Sequence, residues 1–163
     1  MRSINDFPCF FRNAIKELKP NFLIIGAARA VTTWSSRNHE SILTCSCLRR
    51  RNYTFSTFSL IRGMEYYLKH FVGSEGFKAV GEASPVYLHT ENVAQRIKDS
   101  LGEVNLIVSL RDPVDRLYSR YLNVKAKFDT NSELTFEEKI DQKPEFIAEG
   151  YYYDHLQPYI ARC

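Results

Sequence analysis

Three short apolar runs interrupt an otherwise polar chain. Phe22-Leu23-Ile24-Ile25 ends at Gly26, Lys78-Ala79-Val80-Gly81-Glu82 stands near the middle, and Val104-Asn105-Leu106-Ile107-Val108-Ser109-Leu110 follows. Runs of this length, bounded by glycine and polar residues, suit central strands covered on both faces. The stretches around them have the period of helices. Residues 91–101 place Val93, Ile97 and Leu101 at four-residue steps, and residues 114–127 follow Asp112-Pro113, a cap and first-turn proline. In that second stretch Leu117, Tyr118, Tyr121 and Leu122 share a face. Residues 13–18 read as a short helix stopped by Pro20, Thr135-Phe136-Glu137-Glu138 opens another, and residues 151–160 form the last. Strands alternating with helices predict an α/β fold with a central parallel sheet. There is no internal repeat and no linker, so residues 1–20 are a lead-in and residues 21–163 one domain.

Composition narrows this picture. In a chain of 163 residues, 44% hydrophobic and 25% charged, the balance is that of a globular domain and not of a disordered tail. The four-residue run at Phe22 is far short of the ~20 apolar residues that a bilayer needs. No signal-peptide pattern precedes it, so the reading is a soluble chain, cytoplasmic by default. The net charge of +3 suggests an anionic partner until it is located. Residues 34–51 carry Arg37, Arg49, Arg50 and Arg51 against Glu40, and the rest of the chain balances 18 basic against 18 acidic residues. A basic surface for nucleic acid is therefore not expected. Cys9, Cys45, Cys47 and Cys163 have neither disulfide-framework nor zinc-finger spacing, so thiols without a metal are expected.

The turn after the first strand carries the chemistry. Ligands of open α/β sheets bind beyond the carboxyl ends of strands, and here the chain reads Gly26-Ala27-Ala28-Arg29-Ala30-Val31-Thr32-Thr33. Small residues let backbone N–H groups approach an anion, Arg29 adds a fixed charge, and Thr32 and Thr33 add hydroxyls at a helix start. An ordinary strand-to-helix turn satisfies the same pattern. A nucleoside triphosphatase loop needs Gly-Lys before the Ser/Thr, which Val31-Thr32-Thr33 lacks. A second constellation places Arg111 at a strand end and Ser119 on the following helix, where both reach one phosphate. The alternative is that Arg111 and Arg116 pair only with Asp112 and Asp115 on a solvated helix start.

These blocks, with Gly81-Glu82-Ala83-Ser84-Pro85-Val86-Tyr87-Leu88, Leu134 to Glu138 and Gly150 to Tyr159, resemble the sulfotransferase domain family, in particular the branch that includes heparan sulfate and related carbohydrate sulfotransferases. The resemblance spans most of residues 20–160 and lapses over residues 34–51. It implies a P-loop-like three-layer fold and 3′-phosphoadenylyl sulfate (PAPS) as sulfuryl donor. Gly26 to Thr33 would surround the 5′-phosphosulfate, with Arg29 in the place of a family Lys or Arg, and Arg111 and Ser119 would hold the 3′-phosphate. The acceptor would be a hydroxyl of a carbohydrate-like or small molecule, with no metal needed, and the compartment would be the Golgi.

Departures from the family define a second expectation. Val31 stands where the family has Gly, adding a β-branched side chain where backbone should meet the donor. Arg49-Arg50-Arg51 stands at the element that supplies a glutamate base, and arginine is no general base. Glu82 is the carboxylate that remains near the site, as a catalytic candidate or a structural group at a strand end. Loss and resumption of similarity across residues 34–51 motivate the hypothesis of two compensating frameshifts, which sequencing the locus checks. The sheet is expected to be incomplete on its C-terminal side, and the alternative function is a truncated or degenerate sulfotransferase-like protein without activity.

Overall fold

A computed structural model describes residues 19–30, 45–48, 64–74, 76–128 and 134–161. The predicted helix at residues 13–18, the loop residues Val31, Thr32 and Thr33, most of residues 34–51, Cys9 and Cys163 lie outside the described residues.

Four parallel strands form one sheet. β1 (Phe22–Gly26), β2 (Cys45–Leu48), β3 (Ala79–Ala83) and β4 (Asn105–Val108) lie in the order β2-β3-β1-β4. β1 is central and buried along its whole length, as its apolar run requires. It meets β3 in the register Leu23↔Glu82 and β4 in the register Leu23↔Leu106. The strands approach closely at Gly81, where a Cβ would stand 2.3 Å from the Phe22 carbonyl oxygen and 2.7 Å from its ring. Only glycine leaves that space.

Two expectations change here. The run at residues 104–110 is not a covered central strand: β4 is shorter, bonds only to β1 among the described strands, and alternates exposed with half-buried residues. Conversely, Cys45–Leu48, inside the stretch where the family resemblance lapses, pairs with β3 in the register Cys45↔Ala79 and extends the sheet. Four residues without a sustained apolar run gave no strand signal.

The helices are α1 (Met64–Leu68), α2 (Val93–Leu101), α3 (Pro113–Phe128), α4 (Phe136–Gln142), α5 (Glu145–Ala148) and α6 (Tyr152–Ile160); single 3₁₀ turns cover Lys69–Phe71 and Tyr87–His89. Asp112 caps α3, its Oδ1 accepting from the N–H groups of Val114 (2.9 Å) and Asp115 (3.0 Å), with Pro113 in the first turn. Thr135 and Glu138 form a reciprocal capping box at α4. The main core joins Leu23, Ile25 and Val80 of the sheet to Tyr67, Leu68 and Phe71, to Val93, Ile97 and Leu101 of α2, and to Tyr159 of α6. Phe22 and Ile24 are buried on the opposite face with Ala79 and Ala83.

The apolar face read on α3 is only partly a core face. Tyr121 is buried, but Tyr118 is 51% and Leu122 46% exposed. The fully buried side chain is Arg116, at 1%. Its Nη1 donates to Glu149 Oε2 at 2.9 Å and its Nη2 donates to the Phe146 carbonyl. Arg120 completes the junction, pairing with Glu149 Oε1 at 3.3 Å and lying 5.0 Å over the Phe146 ring. A guanidinium thus ties α3 to the α5–α6 corner where a hydrophobic seam was expected.

Candidate functional site

The carboxyl ends of β1 and β4 are laced together beyond the strands themselves. Ala27 N–H donates to Ser109 O at 2.8 Å and Ser109 N–H donates to Gly26 O at 2.9 Å. This carries the loop after β1 alongside the segment that leads through Arg111 into α3. Gly26 is required at the start of that loop, because a Cβ there would stand 2.7 Å from Leu88 Cβ. The loop then turns, Ala30 N–H donating to Ala27 O at 3.1 Å, with Ala27 and Ala30 buried. Ala28 is half-buried and Arg29 exposed between them. Arg29 sits in the left-handed region at φ 71, a conformation that costs a non-glycine residue about 1 kcal/mol or more. The turn projects its guanidinium outward.

That guanidinium reaches α3: Arg29 Nε donates to Ser119 Oγ at 3.0 Å, in an exposed contact 90 residues apart in sequence. Two of the predicted site residues, from different elements, are thereby brought together. Arg111 lies just before α3, ahead of the Asp112 cap, on the segment that leaves the carboxyl end of β4. It pairs with Asp115 at 3.6 Å, both side chains open to solvent. The local pairing expected for Arg111 is therefore present, whereas Arg116 is turned away from the site into the Glu149 junction. Arg29 and Arg111 are exposed cations on the two segments that leave the carboxyl ends of β1 and β4, and with the half-buried Ser119 hydroxyl they make a cationic strip whose donors suit phosphate or sulfate oxygens.

Glu82 is placed differently. It points with Val80 into the main core and is 5% exposed. Its Oε1 accepts from the Tyr87 hydroxyl. Burial raises its pKa from 4.5 to about 7, against the opposing hydrogen bonds of Tyr87 and Tyr67. Burial likewise pushes the Tyr67 and Tyr159 phenols up, and Tyr159 donates to the Tyr87 carbonyl at 2.7 Å. At this depth the carboxylate does not present itself to a ligand above the strand ends. It fixes Tyr87, hence the turn whose Leu88 abuts Gly26.

Two features were missed from sequence. Ser84, just past β3, is buried with a hydroxyl that has no hydrogen-bond partner among the described residues. His89 and His155, from the turn after β3 and from α6, meet edge to face at 6.2 Å. A lone histidine in sequence carries no signal of a partner 66 positions away. Among the described residues no cluster of three His, Cys, Asp or Glu side chains suits a metal ion, and no helix is long and apolar enough to cross a membrane.

Comparisons with known proteins agree with this architecture. A family model for the sulfotransferase domain matches residues 19–162. The membrane-associated sulfotransferase kil1 of Dictyostelium discoideum is 35% identical over 108 residues, which cover 63% of this chain and 22% of that protein. The chain thus spans about a fifth of the length of that relative. The crystal structure of a sulfotransferase from Alicyclobacillus acidocaldarius superposes with a TM-score of 0.75 at 26% identity, over 88% of this chain and 69% of that one.

Proposed function

Because the chain belongs to the sulfotransferase domain family, we propose that it binds PAPS and transfers the sulfuryl group to a hydroxyl of a carbohydrate-like acceptor. The observation that supports this reading is the contact of Arg29 with Ser119, which joins the loop after β1 to the helix after β4 at the carboxyl edge of the sheet. In this reading Arg29 faces the phosphosulfate and Ser119, with Arg111, the 3′-phosphate. The fit rests on the exposed guanidinium and hydroxyl donors already directed to that edge.

The reaction is an in-line displacement. The acceptor oxygen forms a bond to sulfur as the bond from sulfur to the departing phosphate oxygen breaks, and the hydroxyl proton leaves to a base. Arg29 and the N–H groups of the loop lower the barrier by stabilising charge that builds on the departing phosphate, and positioning supplies much of the remainder. No metal has a role in this scheme.

Calorimetric titration with adenosine 3′,5′-bisphosphate (PAP) tests the donor site. Arg29→Ala is expected to weaken binding at least about tenfold, the loss typical of a charge-assisted hydrogen bond, and Ser119→Ala by less. A wild-type chain that does not bind PAP overturns the assignment. One observation favours a second reading, a nucleotide-binding chain without transferase activity: the family-position carboxylate Glu82 is locked in the core. Transfer of labelled sulfate from PAPS to glycan acceptors separates the two.

A further inference from the structure

The structure holds a cavity of about 420 Å³ between the turn Tyr87–His89, the start of α2 and the outer face of α6. Leu88 forms one wall, and the same side chain backs Gly26 at the root of the donor loop. The buried Leu88 side chain is thus the wall between the cavity and the root of the donor loop. Its chemistry is the opposite of the cationic strip: no lysine or arginine lines it, and Glu91 and Asp154 stand at its rim, exposed and outside any ion pair among the described residues.

Between those carboxylates lie His89 and His155. His155 Nε2 is 2.8 Å from the Ala148 carbonyl, which only accepts, so Nε2 donates there and holds the ring in place. His89 is half-buried, and among the described residues nothing hydrogen-bonds its ring nitrogens. Its pKa is lowered chiefly by burial and further by His155, Arg120 and Arg116, against an opposing pull from Glu149, so the ring is neutral at neutral pH. Acceptors of this kind with Asn92 beside them bind hydroxyl groups, and the exposed ring of Pro158 gives an apolar surface for the carbon face of a sugar.

We propose that this cavity is the acceptor subsite and takes an uncharged, hydroxyl-rich unit, a neutral saccharide, with His89 accepting the hydrogen of a bound hydroxyl. The proposal rests on the transferase reading for its name as an acceptor site, and its ligand chemistry stands on the lining. A sulfated or uronate-bearing chain meets two carboxylates and no lysine or arginine in the lining, the nearby Arg116 and Arg120 being paired with Glu149, so the polyanionic acceptors implied by the heparan branch are disfavoured.

Proton NMR of the four histidines, assigned with His89→Gln and His155→Gln, tests it in the full chain. Lactose and N,N′-diacetylchitobiose are expected to move the His89 and His155 signals with a Kd on the order of 1 mM, while a heparin octasaccharide leaves them in place. Asp154→Ala, an exposed change that spares the core, is expected to weaken the neutral sugar about tenfold. Absence of shifts with both neutral sugars, equal or larger shifts with heparin, or unchanged affinity in Asp154→Ala overturns the proposal. A parallel PAP titration separates the two readings. A chain that binds PAP but neither sugar refutes this subsite alone, and one that binds the sugar but not PAP refutes the donor assignment and keeps the cavity's ligand.

Discussion

Replacing Glu82 by glutamine keeps an oxygen for the Tyr87 hydroxyl and removes the ionisable proton, so it isolates the cost of a buried carboxyl. Folding raises the Glu82 pKa from 4.5 to about 7, mainly through desolvation. The native state therefore holds a proton that the unfolded chain has released, and stability is lost as pH rises between those two values. At roughly 1.4 kcal/mol for each tenfold change in proton affinity, the cost accumulates to about 3 kcal/mol above pH 7. Urea unfolding of both proteins from pH 4 to pH 9 measures it. The difference in stability is expected to be flat below pH 4.5, to grow in favour of Glu82→Gln up to about pH 7, and to level off beyond. Other groups titrate in the same window, but subtraction of the variant from the wild type removes them. Any constant offset reports the amide's own hydrogen bonding and does not bear on the point. A difference that stays constant from pH 4 to pH 9 would refute the buried, proton-holding carboxyl. Sulfate transfer by the same variant tests the catalytic alternative: a core group leaves turnover largely intact, whereas a base in contact with acceptor abolishes it while the melting temperature holds.

Asp115→Asn releases Arg111 from its surface partner and removes a negative charge from the strip, so PAP affinity is expected to rise roughly fivefold at low salt and less at high salt, by titration. Unchanged or weaker binding counts against Arg111 as a phosphate ligand. Arg116→Met leaves Glu149 with Arg120 alone in a half-enclosed junction, and is expected to cost about 3 kcal/mol in urea unfolding with no change in m-value. A loss below 1 kcal/mol would mean that the junction is held by packing. Gly81→Ala forces a methyl to within 2.3 Å of the Phe22 carbonyl oxygen and is expected to lower the melting temperature by roughly 10 °C, read by circular dichroism.

What the sequence disclosed and what it hid divide along the range of the interactions involved. β1, the Asp112 cap with Pro113 and the start of α4 at Thr135 are local events: each is written within a few residues, and each forms where the pattern placed it. β4 is shorter than its apolar run because such a run does not say how many neighbours a strand has; with one neighbour among the described strands, β4 leaves Ile107 37% exposed, and Leu110 beyond it is 48% exposed. Arg116 shows the same limit from the polar side. Its nearest acids in sequence are Asp112 and Asp115, but one is spent on capping the helix and the other leans on Arg111, so the buried arginine finds its partner 33 residues away. That outcome bears on the site. With Arg116 and Arg120 committed to Glu149, the guanidiniums exposed at the carboxyl edge are, among the described residues, Arg29 and Arg111, which are the two the loop and strand-end motifs singled out. In the proposed donor site the arginines offered to an anion are those the fold keeps at the surface, and a glutamate at the α5–α6 corner withdraws the other two.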